Sequence, residues 1–352
     1  MRVQPDGQEA AGDQAAVVRL LCTVLRNAAS RCSGGTEESV TRLLTDRASS
    51  PVPLNPDVPE LDMLLCYPGF VATAYEAQQV RRAATVGSDE RRRLTTRLEA
   101  VLQQARSSAR RAQDGPCPGW RVDLAPSEPY LRESLARAIV QAPKTSERAD
   151  ELLGMTVAGW RDEERATFCA SGCLLASLWP EMLAEMAAVV RQVALLQGYG
   201  IDGFTDFTAH GVVFVNNRRL TPADDGLPAE VRFAEALVHE ATHNRCNAAG
   251  LSHPFLADDD QGSQPLVMTP LRSDPRPLMG LFQQLVVLVR CVVLYDRLRE
   301  GAPTDGQALR ARRERLFRQA CQALKTTQRH SDKLTGHGRD VVAEAEDLLK
   351  PV

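Results

Sequence analysis

Leu237-Val238-His239-Glu240-Ala241-Thr242-His243 reads His-Glu-x-x-His inside a stretch of helix-forming residues. Residues four apart lie on one face of a helix, so His239 and His243 can offer two imidazoles to a single metal ion. Glu240 stands one position round, close enough to the metal's open side to handle a bound water or orient a ligand. The bland alternative is a pair of surface histidines beside an unrelated glutamate. With only 6 histidines in 352 residues, that coincidence is rare.

The surroundings of this motif set the expected fold. Residues 211–215, Gly-Val-Val-Phe-Val, form a β-branched apolar run bounded by Gly211 and by Asn216-Asn217, which predicts a short buried strand. A polar loop over 218–227 follows, then Pro228 opens the metal helix and Gly250 closes it. Elsewhere Leu and Ala dominate and aromatic content is 5%. The predicted class is mainly α, a multi-helix domain with a small β element preceding the HExxH helix. Helices are predicted near 17–29 and 37–46, as one long Ala/Arg/Gln-rich run over about 72–112, and near 130–141, 162–178 and 181–197, the last opened by Pro180. The Pro/Gly-rich stretch 115–119 is where an internal boundary would fall. It separates an N-terminal helical region, 1–115, from a metal-site domain, 116–352, unless the two are continuous.

A content of 43% hydrophobic and 25% charged residues fits an ordinary globular core. The net charge of −3 gives no polyelectrolyte surface for nucleic acid, so none is expected as a partner. Residues 1–16 are polar and lack the basic start and apolar middle of a signal peptide, which favours a cytoplasmic location. The most lipid-like run, 278–294, carries Gln283, Gln284 and Arg290, and reads as too short and too polar to span a membrane. The 9 cysteines are odd in number and contain no Cys-x-x-Cys; Cys169 and Cys173 are expected to be buried structural residues.

A metallopeptidase would use zinc, with Glu240 as general base on the metal-bound water and a third protein ligand. The common third ligands fail: no Glu occurs between Glu240 and Glu300, and Cys246 and Ala249 stand where one extended motif needs Gly and His. His253, the run Asp258-Asp259-Asp260, Asp274, Gln283 and Asp296 remain as candidates. The prolines on both sides of Arg276 restrict its backbone, so the guanidinium can be fixed as a bidentate partner for a carboxylate, or else pair with Asp274. Gln283, Arg290 and Arg297, spaced by seven, form a polar stripe that faces either a cofactor or solvent.

His239-Glu240-Ala241-Thr242-His243, followed by Arg272-Ser273-Asp274-Pro275-Arg276-Pro277-Leu278-Met279-Gly280-Leu281-Phe282-Gln283, resembles the HExxH-motif proteins of ribosomal peptide natural-product (RiPP) pathways. In that family an Arg-x-Asp-Pro-Arg-Pro-Leu-x-Gly segment leads into a long apolar helix. The resemblance covers residues 130–300 and is weak over the N-terminal third. It implies oxidation rather than hydrolysis: Fe(II), 2-oxoglutarate and O₂ used to hydroxylate a side chain of a precursor peptide, commonly at the β-carbon. Carried over, it makes His239 and His243 iron ligands, Arg272 or Arg276 a clamp on the 2-oxoglutarate carboxylate, and Gln283 a candidate third metal ligand. Some relatives carry a Cys-x-x-x-Cys-x-x-Cys cluster motif; here Ala176 stands at its third position, so that activity is not expected. A zinc metallopeptidase and a peptide-binding relative without chemistry are the competing readings.

Overall fold

The Leu/Ala-rich composition produces a structure that is 69% helical. The computed structural model describes residues 1–29, 65–82, 88–114, 120–142, 149–224, 226–257, 264–301 and 306–350. The first part of the chain gives α1 (Gly7–Ala29), α2 (Pro68–Arg82), α3 (Ser88–Arg111), the pair β1 (Gln113–Asp114) and β2 (Arg121–Val122), and α4 (Pro129–Gln141). There follow α5 (Ala149–Leu153), β3 (Thr156–Ala158), α6 (Asp162–Leu178), α7 (Pro180–Val189), β4 (Gln192–Gln197), β5 (Gly203–Phe204) and β6 (Val212–Asn216). The chain then runs through α8 (Ala229–Ser252), β7 (Leu266–Thr269), β8 (Arg272–Pro277), α9 (Leu278–Gly301), α10 (Gln307–Gln328) and α11 (Gly336–Leu348). The fold is therefore mainly α, with a small mixed sheet ahead of the HExxH helix.

That sheet has the order β3-β4-β6-β5, with β4 and β6 parallel and the two edge strands antiparallel to their neighbours. Successive side chains alternate between its faces. Val193, Leu195, Val213 and Val215 join one hydrophobic cluster, and Ala194, Leu196, Val212 and Phe214 join the other. Both faces are covered, which is why the strand reads as an unbroken apolar run in the sequence. Gly211 enters β6 with φ +96°, a conformation that favours glycine, and donates its N–H to Asn244 on α8.

α1 contributes to both clusters and packs against α2, α7 and α8. Contacts thus run across the 1–115 and 116–352 boundary, and the polar N-terminal residues are part of the core: Met1, Val3, Asp13 and Gln14 are buried. α9 is apolar enough to span a membrane by length and composition, but 72% of its most apolar window is buried inside the protein, where it packs on α8 and α10.

Several expectations need correction. The helix predicted over 181–197 stops at Val189, and 192–197 is β4, because Val190, Val193 and Leu195 are taken into the sheet and its core. The run over 72–112 is two helices rather than one. Cys169 and Cys173 are exposed; α6 turns Phe168, Ser171, Gly172 and Leu175 inward instead. The proline-rich segment before α9 is a strand, β8, paired with β7 in a two-stranded hairpin. Prolines are tolerated there because the hairpin has open edges. The predicted helix over 37–46 and the Pro/Gly stretch 115–119 lie outside the described residues.

Candidate metal centre

α8 starts after Pro228, whose ψ of 150° is extended, and carries His239 and His243 on adjacent turns. Their ring centroids are 5.3 Å apart with the planes tilted by 58°. Burial holds His239 down to about 3, with the neighbouring His243 adding to the effect, so its imidazole is neutral at ordinary pH. The neutral ring is the ligating form. His243 donates Nδ1–H to Gln283 Oε1 of α9 at 2.9 Å, and Gln283 donates Nε2–H to Asn247 Oδ1 at 3.0 Å. That bond sets the tautomer and puts the His243 lone pair on Nε2, the arrangement that outer partners of metal-bound histidines impose.

Glu240 is buried against the sheet edge. Thr205 donates its hydroxyl to Glu240 Oε2 at 2.8 Å, with the Glu240 carbonyl at 3.1 Å from the same oxygen. At Gly203 on β5 an added Cβ would come within 2.8 Å of Glu240 Oε1. A larger residue there would have to displace the carboxylate.

One turn before His239, Glu235 is buried beneath a clamp. Arg312 of α10 donates Nε–H at 2.9 Å and a second guanidinium bond, and Tyr295 donates its hydroxyl at 2.7 Å. Burial alone raises the Glu235 pKa, but Arg312 outweighs it and holds the carboxyl below its ordinary range. The other flank of α8 carries two fully buried arginine sites. Arg245 meets Asp13, Glu9 at 3.1 Å and Glu185 at 3.4 Å. Arg290 of α9 meets Glu185, the Val3 carbonyl at 2.8 Å and Thr242 Oγ1 at 3.4 Å.

The expected third ligands disperse. Gln283, the third-ligand candidate implied by the resemblance, lies at the histidine face and spends its amide oxygen on His243 and its amide nitrogen on Asn247. His253 is exposed with its ring centroid 5.6 Å from that of His337, Asp274 pairs with Arg276 at 2.8 Å, and Asp296 pairs with Arg313 at 2.8 Å. Asp258, Asp259 and Asp260 lie outside the described residues, as does the side chain of Arg272. Among the described residues no group of three or more His, Cys, Asp or Glu side chains is placed to hold a metal ion. Two imidazoles, one of them fixed by an amide, are the side chains here that could hold a divalent metal, with its other positions left to small ligands. The stripe of Gln283, Arg290 and Arg297 faces protein: Arg290 is buried on Glu185, and Arg297 lies 5.2 Å over the Trp179 ring.

Beside this centre opens a cavity of about 840 Å³. Gly203, Phe204 and Thr205 form the wall it shares with Glu240, and Arg137, Arg218 and Arg276 line it as well. Each arginine has an aspartate at 2.8 Å: Asp206, Asp202 and Asp274 respectively. Arg276 also donates to the Gln141 carbonyl at 3.3 Å, and its Nε has no hydrogen-bond partner among the described residues. The motif thus led to His239, Glu240, His243 and Arg276, while Thr205, Gly203, Arg137 and Arg218 come from segments with no motif. Glu235 and Asn247 did have a signal, since each lies four residues from a motif histidine on the same helix face.

Compared with known protein families and with curated proteins, the chain gives no match.

Proposed function

We propose that this protein is an Fe(II)/2-oxoglutarate-dependent oxygenase that hydroxylates a side chain, at the β-carbon, of a ribosomally made precursor peptide in natural-product biosynthesis. The observation that supports this most is the shared wall at Gly203–Thr205. An arginine-lined cavity, sized for a small dicarboxylate and part of a peptide, has in its lining Thr205, which donates to Glu240 of the motif. The resemblance in the motif and in the segment leading to Arg276 adds to it.

In this reading His239 and His243 hold the iron, which supplies the redox chemistry for O₂. The overall change converts 2-oxoglutarate, O₂ and a C–H bond to succinate, CO₂ and C–OH. Gln283 keeps His243 in its ligating tautomer. Arg276 receives the distal carboxylate of 2-oxoglutarate through donors that Asp274 does not take, a planar geometry that lysine does not offer. Burial of Glu240 and of the floor beneath it limits water at the reacting centre.

Incubating the Fe(II) protein with 2-oxoglutarate and candidate precursor peptides tests this. The expected products are succinate and a peptide heavier by one oxygen atom, and Arg276→Lys should raise the apparent KM for 2-oxoglutarate about ten-fold to a hundred-fold while iron affinity holds. Absence of succinate across candidate peptides refutes the assignment, and turnover with an unchanged KM in Arg276→Lys refutes the role of Arg276.

A zinc peptidase is the second reading, favoured by one observation. Glu240 is fixed between the histidine face and the edge strand β5, whose outer side no strand covers among the described residues. An extended peptide laid there would pass beside a general base.

A further inference from the structure

The hairpin β7–β8 separates two openings. Its β8 strand gives Arg276 to the cavity that Thr205 also lines, whereas Leu266, Val267 and Met268 of β7 line the other. Along β7, Val267 and Thr269 are buried while Leu266 and Met268 are 68% and 54% exposed, an alternation that turns two large apolar side chains outward. Across from them runs α10, with Phe317 on the groove wall. The groove between strand and helix has a volume of about 790 Å³.

Its charge is one-sided. Arg318, Lys325 and Arg329 line it, and no acidic side chain does. Glu314, at 4.0 Å from Arg318, is the acidic neighbour within salt-bridge range of these three among the described residues. A chain of net charge −3 thus places a basic rim, with no acidic side chain in its lining, around an exposed apolar floor. Among the described residues β7 also has a partner strand on one side only. Its backbone can accept a further strand, and period-two apolar pockets would select what that strand carries.

We infer that this groove is a docking site for an acidic peptide segment that carries large apolar side chains two residues apart and lies along β7. The apolar pair seats on Leu266, Met268 and Phe317, and its carboxylates face Arg318, Lys325 and Arg329. The site is separate from the metal centre, and its occupancy does not depend on the reaction proposed above.

Fluorescence anisotropy on the full-length, chelator-treated protein tests this. The probe is a labelled peptide with a Glu-Leu-Glu-Leu-Glu core, and the control has lysine in place of each glutamate. Saturable binding of the acidic peptide is expected, weakening as salt rises. The double variant Lys325→Glu/Arg329→Glu should lose about tenfold in affinity and gain affinity for the lysine peptide, and Met268→Asp should lose a similar factor. All three positions are exposed, so the variants should melt as wild type does, which a circular-dichroism scan checks. Equal binding of both peptides, unchanged binding by the variants, or no binding at all overturns the inference. Vesicles containing phosphatidylglycerol form a further arm: if they bind through Met268 and Lys325 and the acidic peptide does not, the groove is a membrane contact and the inference fails.

Discussion

Replacing Gln283 by leucine separates an orienting role from a ligating one. The side chain makes two bonds, accepting from His243 Nδ1 at 2.9 Å and donating to Asn247 Oδ1 at 3.0 Å. Leucine has similar volume and no polar atom, so His243 loses the acceptor that fixes its tautomer and ring angle while both imidazoles remain. Removing such an outer partner typically lowers metal affinity about 10–100-fold, roughly 1.4–2.8 kcal/mol. Loss of a direct ligand from a two-imidazole site would instead abolish binding, as His243→Ala should. Competition between protein and a chelator of known affinity, under anaerobic conditions with Fe(II) and separately with Zn(II), measures the difference. Gln283→Glu keeps an acceptor at the same place and should hold affinity near wild type. If Gln283→Leu binds metal as wild type does, or is as empty as His243→Ala, the reasoning from the hydrogen bond is wrong.

Glu240→Gln keeps the shape and the acceptor for Thr205 but removes a base, so metal should stay bound; surviving hydroxylation supports the oxygenase, whereas a fully inert metal-loaded protein favours the peptidase. Arg245→Met strands Asp13 in the core, while Glu185 keeps Arg290, and should cost about 3–5 kcal/mol in chemical denaturation, a large share of a typical total of about 5–15. His210, which bonds Gln14 at 2.8 Å, is held at about 4 by burial and by the nearby Arg191 charge. Its folded-state pKa is below the unfolded one, so it favours folding above about pH 6.5, and that contribution is lost as pH falls toward about 4. The loss is on the order of 3 kcal/mol, and a His210→Gln variant should show a flatter stability curve over this window.

What the sequence made legible was local. His239 and His243 reveal themselves by spacing, β6 by its apolar run and α9 by its length, because each signal fits within one helix turn or one strand. The segment 192–197 misled because a strand covered on both faces has the same apolar content as a buried helix, and periodicity cannot separate them. The acids Glu9 and Asp13 look like solvated surface until Arg245, 232 residues after Asp13, is seen to need them. Thr205 and Gly203 carry no pattern at all. Their importance comes from where β5 falls against α8, which only pairing with β6 decides.

Folding order follows from the buried arginines. Arg290 bonds the Val3 carbonyl across 287 residues, and Arg245 bonds Asp13 across 232. Joining points so far apart carries a loop-closure entropy that local contacts must offset first, so these bonds form after the helices they connect. A growing chain holds both histidines of α8 well before α9 emerges with Gln283 and Arg290. Formation of the HExxH helix and completion of the candidate centre around it are thus separate kinetic events, and until α9 docks nothing sets the tautomer of His243.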